Sequence, residues 1–131
     1  MAITYHQLGI TAQTRGRLDE ADDWYRKSLA IKEELGDRHS LALTYAQLGL
    51  LAEARDQAPL ALTWNIRCVT LFSQFPSPQT GTGPAALARL AGRLGLPALE
   101  ATWQQVAGQP VPRLVLDYIA SHADQGPGDE L

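Results

Sequence analysis

The sequence predicts an all-α fold of antiparallel helical hairpins stacked side by side, followed by a shorter helical region. Two observations predict it. Thr4-Tyr5-His6-Gln7-Leu8-Gly9 returns forty residues later as Thr44-Tyr45-Ala46-Gln47-Leu48-Gly49, and the same offset aligns Ala2 with Ala42, Ala12 with Ala52, Arg15 with Arg55, Ala21 with Ala61 and Trp24 with Trp64. A period of this length marks one supersecondary unit that buries its apolar face against a copy of itself. Within each unit, apolar and small residues recur at helical spacing between glycines, as in Tyr5, Leu8, Gly9 and Ala12, which is the stripe of a buried helix face.

The first predicted helix covers residues 2–15. Gly9 lies in its middle, where glycine costs about 1 kcal/mol relative to alanine, so a close helix neighbour is expected there, with Ala21 facing it. Gly16 suits a left-handed helix end. The second helix starts near Leu18, with Asp19, Glu20, Asp22 and Asp23 at the positive end of its dipole. It is expected to bury Ala21, Trp24 or Tyr25, Ser28, Leu29, Ile31 and Leu35, and to stop at Gly36. With almost no loop between them, the two helices must fold back antiparallel. The second copy repeats this as helices over about 39–54 and from Pro59 to Phe75, the latter more apolar and therefore covered on more than one side.

Residues 76–83, Pro76-Ser77-Pro78-Gln79-Thr80-Gly81-Thr82-Gly83, read as a linker that ends the array. Three shorter amphipathic helices are expected at about 84–94, 97–107 and 112–122, with Pro97 and Pro112 in first turns. Together 84–122 read as a capping region packed on the repeats, since roughly 40 residues seldom bury enough surface alone. Residues 123–131 are polar and glycine-rich and read as a disordered tail.

Composition narrows the function. Of 131 residues 45% are apolar, enough for one core, and the net charge of -3 comes with no dense Lys/Arg cluster, so nucleic acid is not the expected ligand. No run approaches the roughly 18–20 apolar residues of a membrane span, and the N-terminus lacks a signal-peptide layout. The single Cys68 excludes an internal disulfide. A soluble cytoplasmic protein without cofactor is the expectation. His6, His39 and His122 have no i, i+4 partner for a metal, and Cys68 has no activating His close in sequence. The acids Asp19 to Asp23 are explained as helix-start charges, and Gly81-Thr82-Gly83 lacks the context of a phosphate loop. Trp24, Trp64 and Trp103 read as core rather than as interface anchors. No catalytic constellation remains, so an enzyme is not expected.

Tyr5, Leu8, Gly9, Ala21 and Tyr25, then Tyr45, Leu48, Gly49 and Ala61, stand at the spacing of the tetratricopeptide signature, and the chain over residues 2–75 resembles that family. Ser28-Leu29-Ala30-Ile31-Lys32-Glu33-Glu34-Leu35-Gly36-Asp37-Arg38 resembles its 40-residue form in kinesin light chains, spindle-orientation adaptors and bacterial NB-ARC-type signalling ATPases. Leu99 to Pro110 is similar to the ends of such bacterial arrays. Ala12 and Ala52 depart from a frequent tyrosine, and Asn65 replaces the second aromatic.

The resemblance implies a right-handed superhelix whose concave wall, formed by the first helix of each hairpin, grips a peptide or partner helix. Its concave positions fall on Ile3, His6, Ile10, Gln13 and Thr14, then on Leu43, Ala46, Leu50, Glu53 and Ala54. Family members that clamp a free carboxylate need Lys and Asn there. The apolar side chains here favour an amphipathic helix instead. Two hairpins make half a groove, so cover is expected from residues 84–122, from a second copy, or from repeats upstream. The absence of a capping residue before Met1-Ala2 motivates a fragment of a larger bacterial signalling protein. The reading is a non-catalytic protein-binding scaffold. A homodimer through the uncapped repeat face is the alternative.

Overall fold

The computed structural model describes residues 2–72 and 74–122 of the chain, so the tail expected at 123–131 lies outside the described residues. Among the described residues the elements are α1 (Ala2–Thr14), α2 (Leu18–Leu35), α3 (Arg38–Ala54), α4 (Ala58–Val69), a 3-10 turn (Pro78–Thr80), α5 (Gly83–Leu94), α6 (Leu96–Ala107) and α7 (Arg113–His122). Each of the first five helices packs on its successor, α6 packs on α4 and α5, and α7 packs on α5. This sequential order is that of a helical solenoid.

The two hairpins turn in the same way at both copies. Gly16 has φ 76° and Asp56 has φ 59°. Around them the Arg17 N–H donates to the Ala12 carbonyl at 2.8 Å, and the Gln57 N–H to the Ala52 carbonyl at 2.8 Å. Between the hairpins Gly36, left-handed at φ 71°, closes α2. Asp37 then opens α3, accepting from the Ser40 N–H at 3.2 Å and the Ser40 hydroxyl at 2.8 Å. These two bonds hold its carboxyl below the usual carboxylate range.

Four expectations about the hairpins need correction. The close neighbour of Gly9 is Tyr25, not Ala21: a Cβ on Gly9 would lie 2.6 Å from the Tyr25 ring. Leu35 is exposed and belongs to no core, because Gly36 releases the chain before another turn could cover it. Leu8 is 38% exposed although it lies in the predicted stripe. The last helix of the second hairpin ends at Val69, not Phe75.

The Thr70 hydroxyl bonds back to the Ile66 carbonyl at 2.8 Å, which competes with helix continuation. The chain then folds back against α3 and Cys68 of α4, and the stretch expected to be structureless carries a 3-10 turn at Pro78–Thr80. Ser77 and Thr80 are buried there, the Thr80 hydroxyl donates to the Ser77 carbonyl at 2.7 Å, and the Cys68 sulfur lies 3.4 Å from the Ala42 carbonyl and 3.5 Å from that of Thr80. Phe75 meets Tyr118 of α7 edge-on, with centroids 5.2 Å apart. One continuous apolar core runs from Ala12 through Leu48, Leu62 and Ile66 to Leu87, Leu90, Leu99, Trp103, Val115 and Ile119.

Candidate partner-binding surface

The helix register puts His6, Ile10 and Gln13 on one stripe of α1, and Leu43, Ala46, Leu50 and Glu53 on the matching stripe of α3. The side chain of Ile3 lies outside the described residues. Leu43 is 44% exposed, Ile10 and Leu50 are half-buried, and Thr14 and Ala54 are exposed. Ala46, in contrast, is 7% exposed, so it offers little to a partner beyond backbone clearance.

Two polar members of the stripe, Gln13 and Glu53, are already engaged. Gln13 accepts a 2.7 Å hydrogen bond from the Tyr25 hydroxyl, and burial pushes that phenol up to about 12, so it remains a donor at neutral pH. Glu53 takes a two-pronged contact from Arg89 of α5, at 2.6 and 3.1 Å, which ties the C-terminal helices to α3. His6 tilts against the Tyr25 ring at 5.5 Å. Its Nδ1 is closed off from solvent without a hydrogen-bond partner among the described residues, although the ring as a whole is only half-buried. Burial, and then the positive charge of Lys32, lower its pKa. With Gln13 and Glu53 occupied, most of what the stripe leaves to a visitor is apolar.

Sequence reasoning missed a second set of residues, because they look like solvated charges of α2. Lys32 is 6% exposed, and its ammonium donates to the Thr44 hydroxyl at 2.9 Å and the Ser40 carbonyl at 3.4 Å. Burial lowers its pKa, with Asp37 opposing. Nearby, the Tyr45 hydroxyl donates to Glu33 at 3.3 Å, and Arg55 meets Asp19 at 2.5 Å. Tyr45 stacks on Trp64 at 5.9 Å, and Trp64 also receives the guanidinium groups of Arg26 at 5.3 Å and Arg67 at 5.5 Å. The first hairpin repeats part of this as Tyr5 on Trp24 at 5.6 Å, with Lys27 4.7 Å from the Trp24 ring. The only sequence signal was the pair of conserved offsets Trp24/Trp64 and Tyr5/Tyr45.

A cleft of about 460 Å³ lies where the repeats meet the C-terminal helices, walled by Phe72, Phe75, Trp103 and Val115. It includes none of the stripe residues. No three His, Cys, Asp or Glu side chains among the described residues converge to hold a metal ion. Cys68 is fully buried and its thiol is pushed up to about 12 by burial, so the thiolate that nucleophilic chemistry requires does not form near neutral pH. Among the described residues no helix is long and apolar enough to cross a membrane.

Stacked helical hairpins with duplicated turns and duplicated aromatic pairs define a helical-repeat protein. A model of the tetratricopeptide repeat matches residues 1–74, more than half of the chain, and the chain belongs to that family, whose repeats generally mediate protein–protein interaction. No curated protein and no solved structure gives a significant match.

Proposed function

We propose that the chain is a non-catalytic scaffold that holds a partner helix or peptide along the apolar stripes of α1 and α3. The supporting observation is the chemistry of the stripe: Ile10, Leu43 and Leu50 are uncharged and reach the surface, while Gln13 and Glu53 are held by Tyr25 and Arg89. An amphipathic helix satisfies its own backbone and needs only apolar contact from such a wall, whereas an extended peptide would need free side-chain donors and acceptors. His6, Ala46 and the backbone of α1 and α3 complete the site. The setting we assign is a larger bacterial signalling protein in the cytoplasm, on the long-period resemblance of Ser28 to Arg38.

Leu43 is the residue with which to test this, since it is the most exposed apolar member of the stripe among the described side chains. Proteins captured by the wild-type chain and by Leu43→Glu should be compared, and each candidate then purified and titrated. A partner that binds the wild type, loses at least tenfold affinity to Leu43→Glu, and binds Leu114→Glu normally supports the reading. Equal binding to Leu43→Glu overturns it.

A further inference from the structure

The walls of the cleft between the end of α4 and the C-terminal helices are held from behind. Trp103 is 3% and Val115 2% exposed, and Phe75 is braced edge-on by Tyr118, with centroids 5.2 Å apart. Phe72, half-buried, forms the remaining aromatic wall, and Leu114, 63% exposed, stands at the rim. The volume of about 460 Å³ falls within the roughly 300–1,000 Å³ of small-molecule sites, which are concave, mostly apolar and largely preformed.

Two chemical features define what can fill it. None of the side chains that line the cleft is ionisable, so a charged guest would lose water without gaining an opposite charge. The second feature is an unused donor. The Trp103 indole N–H donates to no described residue, yet it is not sealed from solvent as His6 Nδ1 is, so the small accessible remnant of this side chain includes its only polar atom. A buried indole usually finds a partner for that N–H; here the place of the partner is open, on a side chain that lines the cleft. The other polar groups of the lining compete less, because the Thr70 hydroxyl spends its proton on the Ile66 carbonyl at 2.8 Å and Gln109 is exposed to water.

We propose that this cleft binds an uncharged small molecule with an apolar ring body and one hydrogen-bond acceptor, the acceptor meeting the Trp103 N–H and the rings lying among Phe72, Phe75 and Val115. A protein partner fits less well, since Leu114 is the one large apolar side chain exposed at the rim among the described residues, far short of the roughly 800 Å² that each partner of a stable interface buries. A guest here touches α4, α6 and α7 at once, and so adds to the packing of α7, which rests mainly on α5. The site is separate from the stripe of Ile10, Leu43 and Leu50, and its occupant stabilises the folded chain by mass action.

1-Tetralone, a neutral bicycle with a single ketone, is the probe, and tetralin, the same bicycle without the ketone, is its control. Added to the isotope-labelled full chain, 1-tetralone is expected to move the Trp103 indole N–H downfield together with the amides of Phe72, Phe75 and Val115, and to raise the melting temperature. Tetralin should bind at least fivefold more weakly, and Trp103→Phe should abolish that preference. Leu114→Glu, at an exposed position, should weaken 1-tetralone at least fivefold with unchanged circular dichroism, whereas Leu43→Glu should leave its affinity unchanged. No shifts at the solubility limit of 1-tetralone, shifts confined to α1 and α3, or equal affinity of the wild-type chain for the two bicycles would each overturn the assignment. So would a concentration-dependent doubling of mass that Leu114→Glu abolishes, which would give the cleft to a second copy of the chain.

Discussion

Helices α1 and α2 and helices α3 and α4 are written with many of the same residues and end in different surroundings. In the second hairpin Leu48, Tyr45 and Trp64 are buried between α2 on one side and the C-terminal helices beyond. In the first, Leu8, Tyr5 and Trp24 keep the same mutual geometry, Tyr5 stacked on Trp24 as Tyr45 is on Trp64, but lie partly open. The difference separates what a repeat does for itself from what its neighbour does for it. Turns, aromatic pairs and one cation on each Trp form within the unit; burial of the leucine, the second cation on the Trp and the carboxylate on the Arg come from outside.

The largest effect expected from breaking this comparison is at the paired leucines. Leu48→Ala should lose about 2–5 kcal/mol of stability, the usual range for a buried leucine, while Leu8→Ala should lose about 1 kcal/mol or less. Urea denaturation of both variants measures the gap. Equal losses would mean that Leu8 is as covered as Leu48.

The paired glycines come next. A Cβ on Gly9 would press on the Tyr25 ring at 2.6 Å, and one on Gly49 on the Asn65 amide nitrogen at 2.6 Å. The Tyr25 ring is rigid and pinned to Gln13, whereas Asn65 can turn its short amide aside at the expense of its 2.8 Å bond to the Ala61 carbonyl. Overpacking of about 1–3 kcal/mol, set against a helix-propensity gain of about 1 kcal/mol, should leave Gly9→Ala clearly less stable and Gly49→Ala nearer to neutral. Thermal melts of the two should differ in that order.

At the hairpin turns the expected changes are smaller and opposite in sign. Asp56 holds φ 59° where Gly16 holds 76°, and a side chain there costs about 1 kcal/mol. Asp56→Gly should stabilise by somewhat less than that, and Gly16→Ala should destabilise by a similar amount, read by denaturant midpoint.

Acidification should act on the first hairpin through His6, which the second hairpin replaces by Ala46. Its folded pKa lies below the ordinary histidine value of 6.5, so the unfolded chain takes up the proton first. Stability from this group is present above the unfolded value and is lost progressively as pH falls from there through the lower folded value. Melting temperature should therefore decline from pH 7.5 to pH 5.5, and His6→Gln should flatten that decline. An unchanged slope in the variant would show that His6 is not the group responsible.

Much of this was legible in the residues. Hairpin boundaries at Gly16 and Gly36 follow from local chemistry, a left-handed residue after an apolar stripe, and the first-turn prolines placed α6 and α7 within a residue or two. Where a helix end is not decided locally the reading failed: nothing in Leu71, Phe72 and Phe75 forbids helix, yet the chain leaves α4 at Val69, Phe75 goes on to meet Tyr118 of α7, and the Thr80 carbonyl lies against Cys68 of α4. The partner of Gly9 was misjudged for a related reason, since helical spacing names a face but not which residue of the opposing helix reaches it. Of the surface, the apolar stripe was readable from the family pattern. The burial of Lys32 and the seating of Arg26 on Trp64 were not, because a charged residue on an amphipathic helix looks solvated until a neighbour is placed over it.

Amide hydrogen exchange of the free chain tests the central contrast directly. One duplicated unit under two degrees of cover should exchange at two levels, with the amides of Tyr45 to Leu51 and Leu62 to Ile66 opening only with global unfolding and those of Leu8 to Ala12 and Trp24 to Leu29 opening at lower free energy. Uniform protection across both hairpins would contradict the account, since it would mean that the first unit needs nothing further to complete it.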